Sequence, residues 1–227
     1  MSLRKVSESQ RKAYGGQYQK HGDSVLSTFQ NNRETQNLRF ERLMKMILPQ
    51  PDCFSIHDAG CGLADLHAYL FRRKIDHRYS ATEIVPEMAA WASKKYRGAK
   101  VHAGDFLAHR QEKYDFVVLS GLLNLPAGSP RNLWQEYSFR FIRKMFQSSR
   151  RAAAFNFLTS YRTFSDPALC YFDPRDVLDF CLKNLSRFVV LDHAYPLYES
   201  TITVFHSEYL RKRYRSASFK RYLSVGS

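Results

Sequence analysis

"HDAGCGLADL", residues 57–66, decides how this chain is read. An acid closes an apolar run, Gly60-Cys61-Gly62 follows at once, and a helix-like pattern starts directly behind it. A loop that only had to turn would not need glycine at both Gly60 and Gly62. At the carboxyl end of a first strand, paired glycines let the backbone approach a ligand without interference from Cβ. The dinucleotide fingerprint Gly-x-Gly-x-x-Gly/Ala fails, because its sixth position is Asp65 and a carboxylate there would repel a pyrophosphate. Asp58, just ahead of the first glycine, is acidic as well. Two acids around one turn disfavour a phosphate and suit a cationic or zwitterionic ligand.

Strands and helices alternate outward from this turn. "CFSIHDA", "RYSATEI", "AKVHAGD", "YDFVVLSGL" and "RAAAFNFLTS" read as five strands. "LADLHAYLFRRK", "PEMAAWASKKY" with proline in its first turn, "RNLWQEYSFRFIRKMFQ" and "DPRDVLDFCLKNL" read as helices. Crossovers of suitable length between those strands argue for a mostly parallel sheet covered on both faces. "RFVVLDHAY" and "STITVFH" are joined only by "PLYE", too short to return a parallel strand, so they form an antiparallel hairpin. The fold class expected is α/β: a Rossmann-like, seven-stranded, mostly parallel sheet with an antiparallel last strand.

Ahead of the sheet, "SESQRKAYGGQYQKHG" and "ETQNLRFERLMKMIL" read as helical. Gly15-Gly16 and Gly22 predict a short helix plus a mobile segment in the first of these, and "PQPD" at 49–52 punctuates the chain. Three parts are expected: an N-terminal helical segment at 1–48, the sheet domain at 49–207, and a basic C-terminal tail at 208–227.

The 227 residues carry 44% hydrophobic side chains, enough for a full core, and a formal net charge of +14. Six Lys or Arg fall between Arg211 and Arg221. That tail reads either as a solvated aid to solubility or as a polyanion patch with interleaved tyrosines. No apolar run is long enough to span a bilayer, and the N-terminus lacks the apolar stretch of a signal peptide. Cys53, Cys61, Cys170 and Cys181 show no CxxC pairing and no metal-like His/Cys spacing. Free thiols in a reducing cytoplasm, and no metal, are therefore expected.

"IHDAGCGLADL" resembles the first motif of the class I S-adenosylmethionine-dependent methyltransferases, Asp/Glu-x-Gly-x-Gly-x-Gly. Asp58, Gly60 and Gly62 match, with Cys61 as a small filler, while Ala64 stands where the third glycine is expected. "SATEIVPEM" supplies the acid expected at the end of the second strand, Glu83 followed by Ile84. "HAGDF" supplies Asp105 and Phe106 after the third, and "YDFVVLSGLLNL" resembles the fourth-strand motif, ending in Ser120 and Gly121. The resemblance spans residues 54–206. It implies S-adenosylmethionine as cofactor, with Glu83 accepting the ribose hydroxyls, Asp105 and Phe106 at adenine, and Asp58 toward the methionine amino group. It also implies a lid in "AYGGQYQKHG", with Tyr14 and Tyr18 against cofactor or acceptor and Arg39 on the methionine carboxylate.

Ligands bind beyond the carboxyl ends of parallel strands, an edge shared by the hairpin turn "DHAYPLYES". Tyr195 and Glu199 there, with Asn124 and Tyr161 after strands four and five, are candidates for the acceptor wall, and His193 and Tyr198 for catalysis. His57 and His102 lie within strands and read as packed or surface residues. No segment resembles the Asn/Asp-Pro-Pro-Tyr loop of many nucleic-acid methyltransferases. "FNFLTSY" and "YPLYESTITVF" look like bacterial enzymes of sugar-polymer or secondary-metabolite pathways. Transfer to N or O of a small-molecule acceptor, by a monomer or homodimer, is the expectation. An RNA or DNA methyltransferase using the basic surface, and a non-catalytic partner module, stay open.

Overall fold

The computed structural model describes residues 2–48, 52–110 and 112–223. Residues 49–51 of the predicted "PQPD" punctuation and the last four residues of the basic tail lie outside them. Seven strands form one sheet: β1 (Phe54–Ala59), β2 (His77–Glu83), β3 (Lys100–Ala103), β4 (Tyr114–Leu119), β5 (Ser149–Leu158), β6 (Val189–Asp192) and β7 (Glu199–Phe205). Their order is β3-β2-β1-β4-β5-β7-β6. β1 to β5 pair in parallel, while β7 runs antiparallel between β5 and β6. The expected α/β sheet with its antiparallel closing strand is the observed one. Beside β1 the strand order reverses, β2 on one side and β4 on the other, and at such a switch point the strand tips splay into a crevice.

Helices cover both faces. The helices α1 (Leu3–His21), α5 (Arg131–Ser148) and α6 (Pro174–Asn184) cover one face, and α2 (Arg33–Met44), α3 (Asp65–Arg72) and α7 (Ser207–Arg213) the other, with α4 (Pro86–Lys95) toward the β2–β3 edge. α5 shows why the sequence folds this way. Its Trp134, Tyr137, Phe141, Ile142 and Met145 recur at helical spacing and are all buried, packed on Phe155 and Phe157 of β5. On the other face Phe40, Leu43 and Met44 of α2 pack with Ile56 and Phe116.

The structure corrects one expectation. α1 is one continuous helix through Gly15 and Gly16, not a short helix with a mobile segment. Burial outweighs the cost of two helical glycines, about 1 kcal/mol each. Val6, Ser7 and Gln10 are covered, Tyr14 and Tyr18 pack on Leu63, Val85 and Met88, and a Cβ on Gly15 would come 3.9 Å from Val85. The basic C-terminal segment, in turn, folds back as α7 and the short α8 (Lys220–Leu223): Tyr209 stacks on Phe205, and Arg211 Nε donates to the Leu223 carbonyl at 2.8 Å.

Candidate active site

The turn after β1 is tied to β2: the Gly60 and Cys61 amides donate to the Thr82 carbonyl at 2.8 and 3.2 Å. Gly60 and Gly62 have φ of 92° and 55°, and Ala64, with φ 56°, shares the left-handed conformation that the family pattern gives to glycine. The Gly62 amide donates to Glu83 Oε2 at 2.8 Å and the Val85 amide to Glu83 Oε1 at 2.9 Å. Glu83 thus holds the turn and also lines the crevice.

A cavity opens above this turn. Asp58, Gly60, Cys61 and Gly62 form its floor, Glu83 and Ile84 one wall, Asp105 and Phe106 another, with Ser120 and Leu122 after β4. Tyr137 and Phe141 of α5 close it from beneath. The roof comes from the N-terminal segment: Gln10 and Tyr14 of α1, Thr28 in a 3₁₀ turn, Gln30, and Gln36 and Phe40 of α2. A Cβ on Gly62 would stand 2.5 Å from Thr28 Cγ2, and one on Gly121 would stand 2.9 Å from Gln30 Nε2. Both glycines therefore admit roof residues as well as any ligand.

The cavity is acidic. Asp58, Asp65, Glu83 and Asp105 line it, and no Lys, Arg or His does among the described residues. Burial raises Asp58 to about 7, with Glu83 and Asp65 adding to the rise against a 2.9 Å hydrogen bond from Tyr79. Burial also raises Glu83, partly offset by its two backbone hydrogen bonds. Asp65 is partly neutralised by Arg33 and accepts from Gln36 at 3.0 Å. Asp105 accepts from Ser7 of α1 at 2.6 Å and from the Leu107 amide at 2.8 Å. Two buried polar atoms in the lining, Gln10 Oε1 and Ser120 Oγ, have no hydrogen-bond partner. A cation that also offers hydrogen-bonding groups fits this donor set.

The other sequence-derived site residues lie elsewhere. Tyr18 packs beneath α1 on Leu63 and Val85, outside the cavity lining. Arg39 turns from the cavity to pair with Glu199 at 2.7 Å and with Gln30. Glu199 is fully buried and accepts from Asn156, which in turn accepts from the Gly121 amide, so a polar chain crosses the tips of β4, β5 and β7. Beyond it, His193 is held by Ser200 at 2.9 Å, the Tyr195 hydroxyl meets Thr201 at 2.9 Å, and Tyr198 pairs with Thr163. Tyr161 is exposed beside His193, and Asn124 Oδ1 accepts from the Leu158 amide at 3.0 Å. None of His193, Tyr195, Tyr198, Tyr161, Asn124 and Glu199 lines the cavity. His57 is buried between Ser80 and Thr82, and burial lowers it to about 3, so it stays neutral.

Sequence reasoning missed Gln10, Thr28, Gln30, Gln36 and Phe40, which carry no motif. Only the helical spacing of Gln36 and Phe40 could have put the latter two on one face.

A family model described as "Methyltransferase domain" matches residues 57–138. Rv1506c of Mycobacterium tuberculosis (strain ATCC 25618 / H37Rv), a protein designated as a methyltransferase, is 35% identical over 161 residues, which are 70% of this chain and 96% of that protein. Among solved structures, magnesium protoporphyrin IX methyltransferase (ChlM) from Synechocystis PCC 6803 with bound SAM matches with a TM-score of 0.64 and 15% identity, covering 90% of this chain and 96% of that one. DhpI in complex with SAH matches with a TM-score of 0.59 and 14% identity, covering 87% and 95%.

Proposed function

The chain belongs to the class I S-adenosylmethionine-dependent methyltransferases, and from that premise we propose that it transfers a methyl group to N or O of a small-molecule acceptor. The observation that carries this reading is the acidic lining of the cavity: four carboxyl groups and no cationic side chain in the described lining of a chain with net charge +14. S-adenosylmethionine brings a sulfonium and an ammonium, and its electrophilic methyl group is the chemistry it supplies.

The residues divide the work by position. Glu83 takes the ribose hydroxyls while holding the turn. Asp105, steadied by Ser7, meets the adenine edge, with Phe106, Tyr137 and Phe141 against the ring. Asp58 and the Gly60–Gly62 backbone receive the amino-acid end, Cys61 keeping the turn small and Ser120 gaining a partner. Ile84 bounds the ribose, and Tyr14 closes over the cofactor.

In-line displacement from a sulfonium releases a neutral leaving group, so these side chains mainly align the acceptor and exclude water. A base is needed only where the acceptor's proton must leave early. Gln30, Gln36 and Phe40 form the inner acceptor wall. Arg39 and Tyr18 support the roof, and Asn124, Tyr195 and Glu199 stiffen the frame behind it. Tyr161, His193 and Tyr198 stand at the outer edge. A cavity with aromatic walls supports a small acceptor. No described helix is long and apolar enough to cross a membrane. The four free cysteines fit work in the cytoplasm, as monomer or homodimer.

Calorimetry with S-adenosylmethionine and S-adenosylhomocysteine tests the cofactor site: Glu83→Ala should weaken binding by about 2 kcal/mol, roughly 30-fold. A labelled-methyl screen over cell extract tests the acceptor. Label in the small-molecule fraction is expected. Label in nucleic acid, with steeply salt-dependent binding, would overturn the acceptor class.

A further inference from the structure

A second cleft opens between the loop after β4, the start of α5 and the loop after β5, and Ser129, Arg131, Ser160, Arg162, Ser165 and Asp166 face it. α5 is 18 residues long, no side chain caps its N-terminus, and its first turn holds no acid. Its leading amides and the positive end of its dipole are therefore unanswered. Ser129 is 8% exposed, and its Oγ has no hydrogen-bond partner. Arg162 lies over the Tyr171 ring at 3.8 Å and donates to the Ser160 carbonyl at 3.1 Å, yet its buried Nε is unpartnered. Arg131 is exposed and makes no ion pair among the described residues. The one acid facing the cleft, Asp166, accepts the Ala168 amide at 2.8 Å within its own turn and pairs with neither arginine. Ser129 Oγ, Arg162 Nε and the leading amides of α5 converge here without an acceptor among the described residues.

We propose that this cleft is an oxyanion subsite, taking the carboxylate or phosphate of the methyl acceptor; the assignment to an acceptor rests on the methyl-transfer reading above. Position supports it. Leu122 lines the cofactor cavity, and Pro126, four residues on, lines the cleft. Trp134 lines the cleft and Tyr137 the cavity, their rings stacked with centroids 5.3 Å apart. Three residues of helix span about 4.5 Å, so the cleft and the cavity are neighbours along α5. The intervening segment is braced: Gln10 donates to the Leu125 carbonyl, and the Cys170 amide donates to that of Asn124 at 2.8 Å. The two sites carry opposite polarity, acids around the cofactor and arginines with helix amides around the acceptor's tail. An anionic acceptor is thereby kept off the cofactor's cradle and oriented end to end.

Inorganic phosphate, titrated calorimetrically into the full chain saturated with S-adenosylhomocysteine, is the probe. Saturable one-site binding is expected, weakened at least about tenfold in an Arg131→Gln/Arg162→Gln double variant and about threefold in Ser129→Ala, while S-adenosylhomocysteine affinity stays within about twofold. Phosphate should also inhibit methyl transfer competitively against the small-molecule extract and not against S-adenosylmethionine. No saturable binding by the wild type, or equal binding by the variants, overturns the subsite. Binding that the variants lose, without competition, assigns the cleft to free anion and overturns its link to the acceptor. A wild type that binds phosphate but not S-adenosylhomocysteine marks instead the failure of the methyl-transfer reading.

Discussion

Asp58 is only 3% exposed, in a cavity it shares with three other carboxyls, and its pKa near 7 makes it the group most sensitive to cofactor charge. The sign follows from burial. The unfolded carboxyl titrates near 4 and the folded one near 7, so stability from the neutral group is full below about pH 4 and lost as pH rises through about 7. A bound cation favours the carboxylate, so S-adenosylmethionine affinity should rise from about pH 6 to about pH 8, with proton release on binding near pH 6. Calorimetry in buffers of different ionisation enthalpy measures both; a flat profile without proton release would contradict the assignment. Gly62 offers a second test. Alanine there meets Thr28 Cγ2 at 2.5 Å in a left-handed conformation that costs an L-residue about 1–2 kcal/mol. Gly62→Ala should lower both Tm and cofactor affinity, and Thr28→Ser, which removes that methyl, should restore part of the loss. Gly60 and Gly62 were legible in the sequence because strand-end position and glycine pairing leave a local signature, and Glu83 through the family resemblance. The partner of Arg39 was not: Glu199 lies 160 residues away, and no local pattern announces it.

The roof is built from α1 and α2, and its attachment to the sheet is electrostatic as well as apolar. Arg39 and Glu199 keep 13% and 1% of their side chains exposed, and Asn156 and Gln30 complete the pair's hydrogen bonding. Removing one partner strands a buried charge. Arg39→Met should therefore destabilise the fold by roughly 3–5 kcal/mol, while Arg39→Met/Glu199→Gln recovers much of that. Urea unfolding of both variants checks it, and equal loss in single and double variants would show that the pair is not what holds α2. The strands were readable because each is a short apolar run bounded by turn residues, and the final hairpin because its connection is too short to cross over. α1 was misread at Gly15-Gly16 because local propensity carries no record of the tertiary face the helix buries against Val85 and α5.

Across the molecule, excess positive charge and an acidic interior site coexist, and a net value of +14 conceals that separation. The mostly parallel sheet, its closing hairpin and the glycine turn were visible from residue order. That His193 and Tyr198 of the hairpin stand outside the cavity lining was not, because it depends on the long-range pairing of Asn156 on β5 with Glu199 on β7. The most direct measurement is a crystal structure of the protein with S-adenosylhomocysteine. The account predicts ribose hydroxyls within about 2.6–3.2 Å of the Glu83 carboxylate, adenine beside Asp105 and Phe106, and the amino-acid end over Gly60–Gly62. The compound lying elsewhere, or a crystal soaked with it showing this cavity empty, would contradict it.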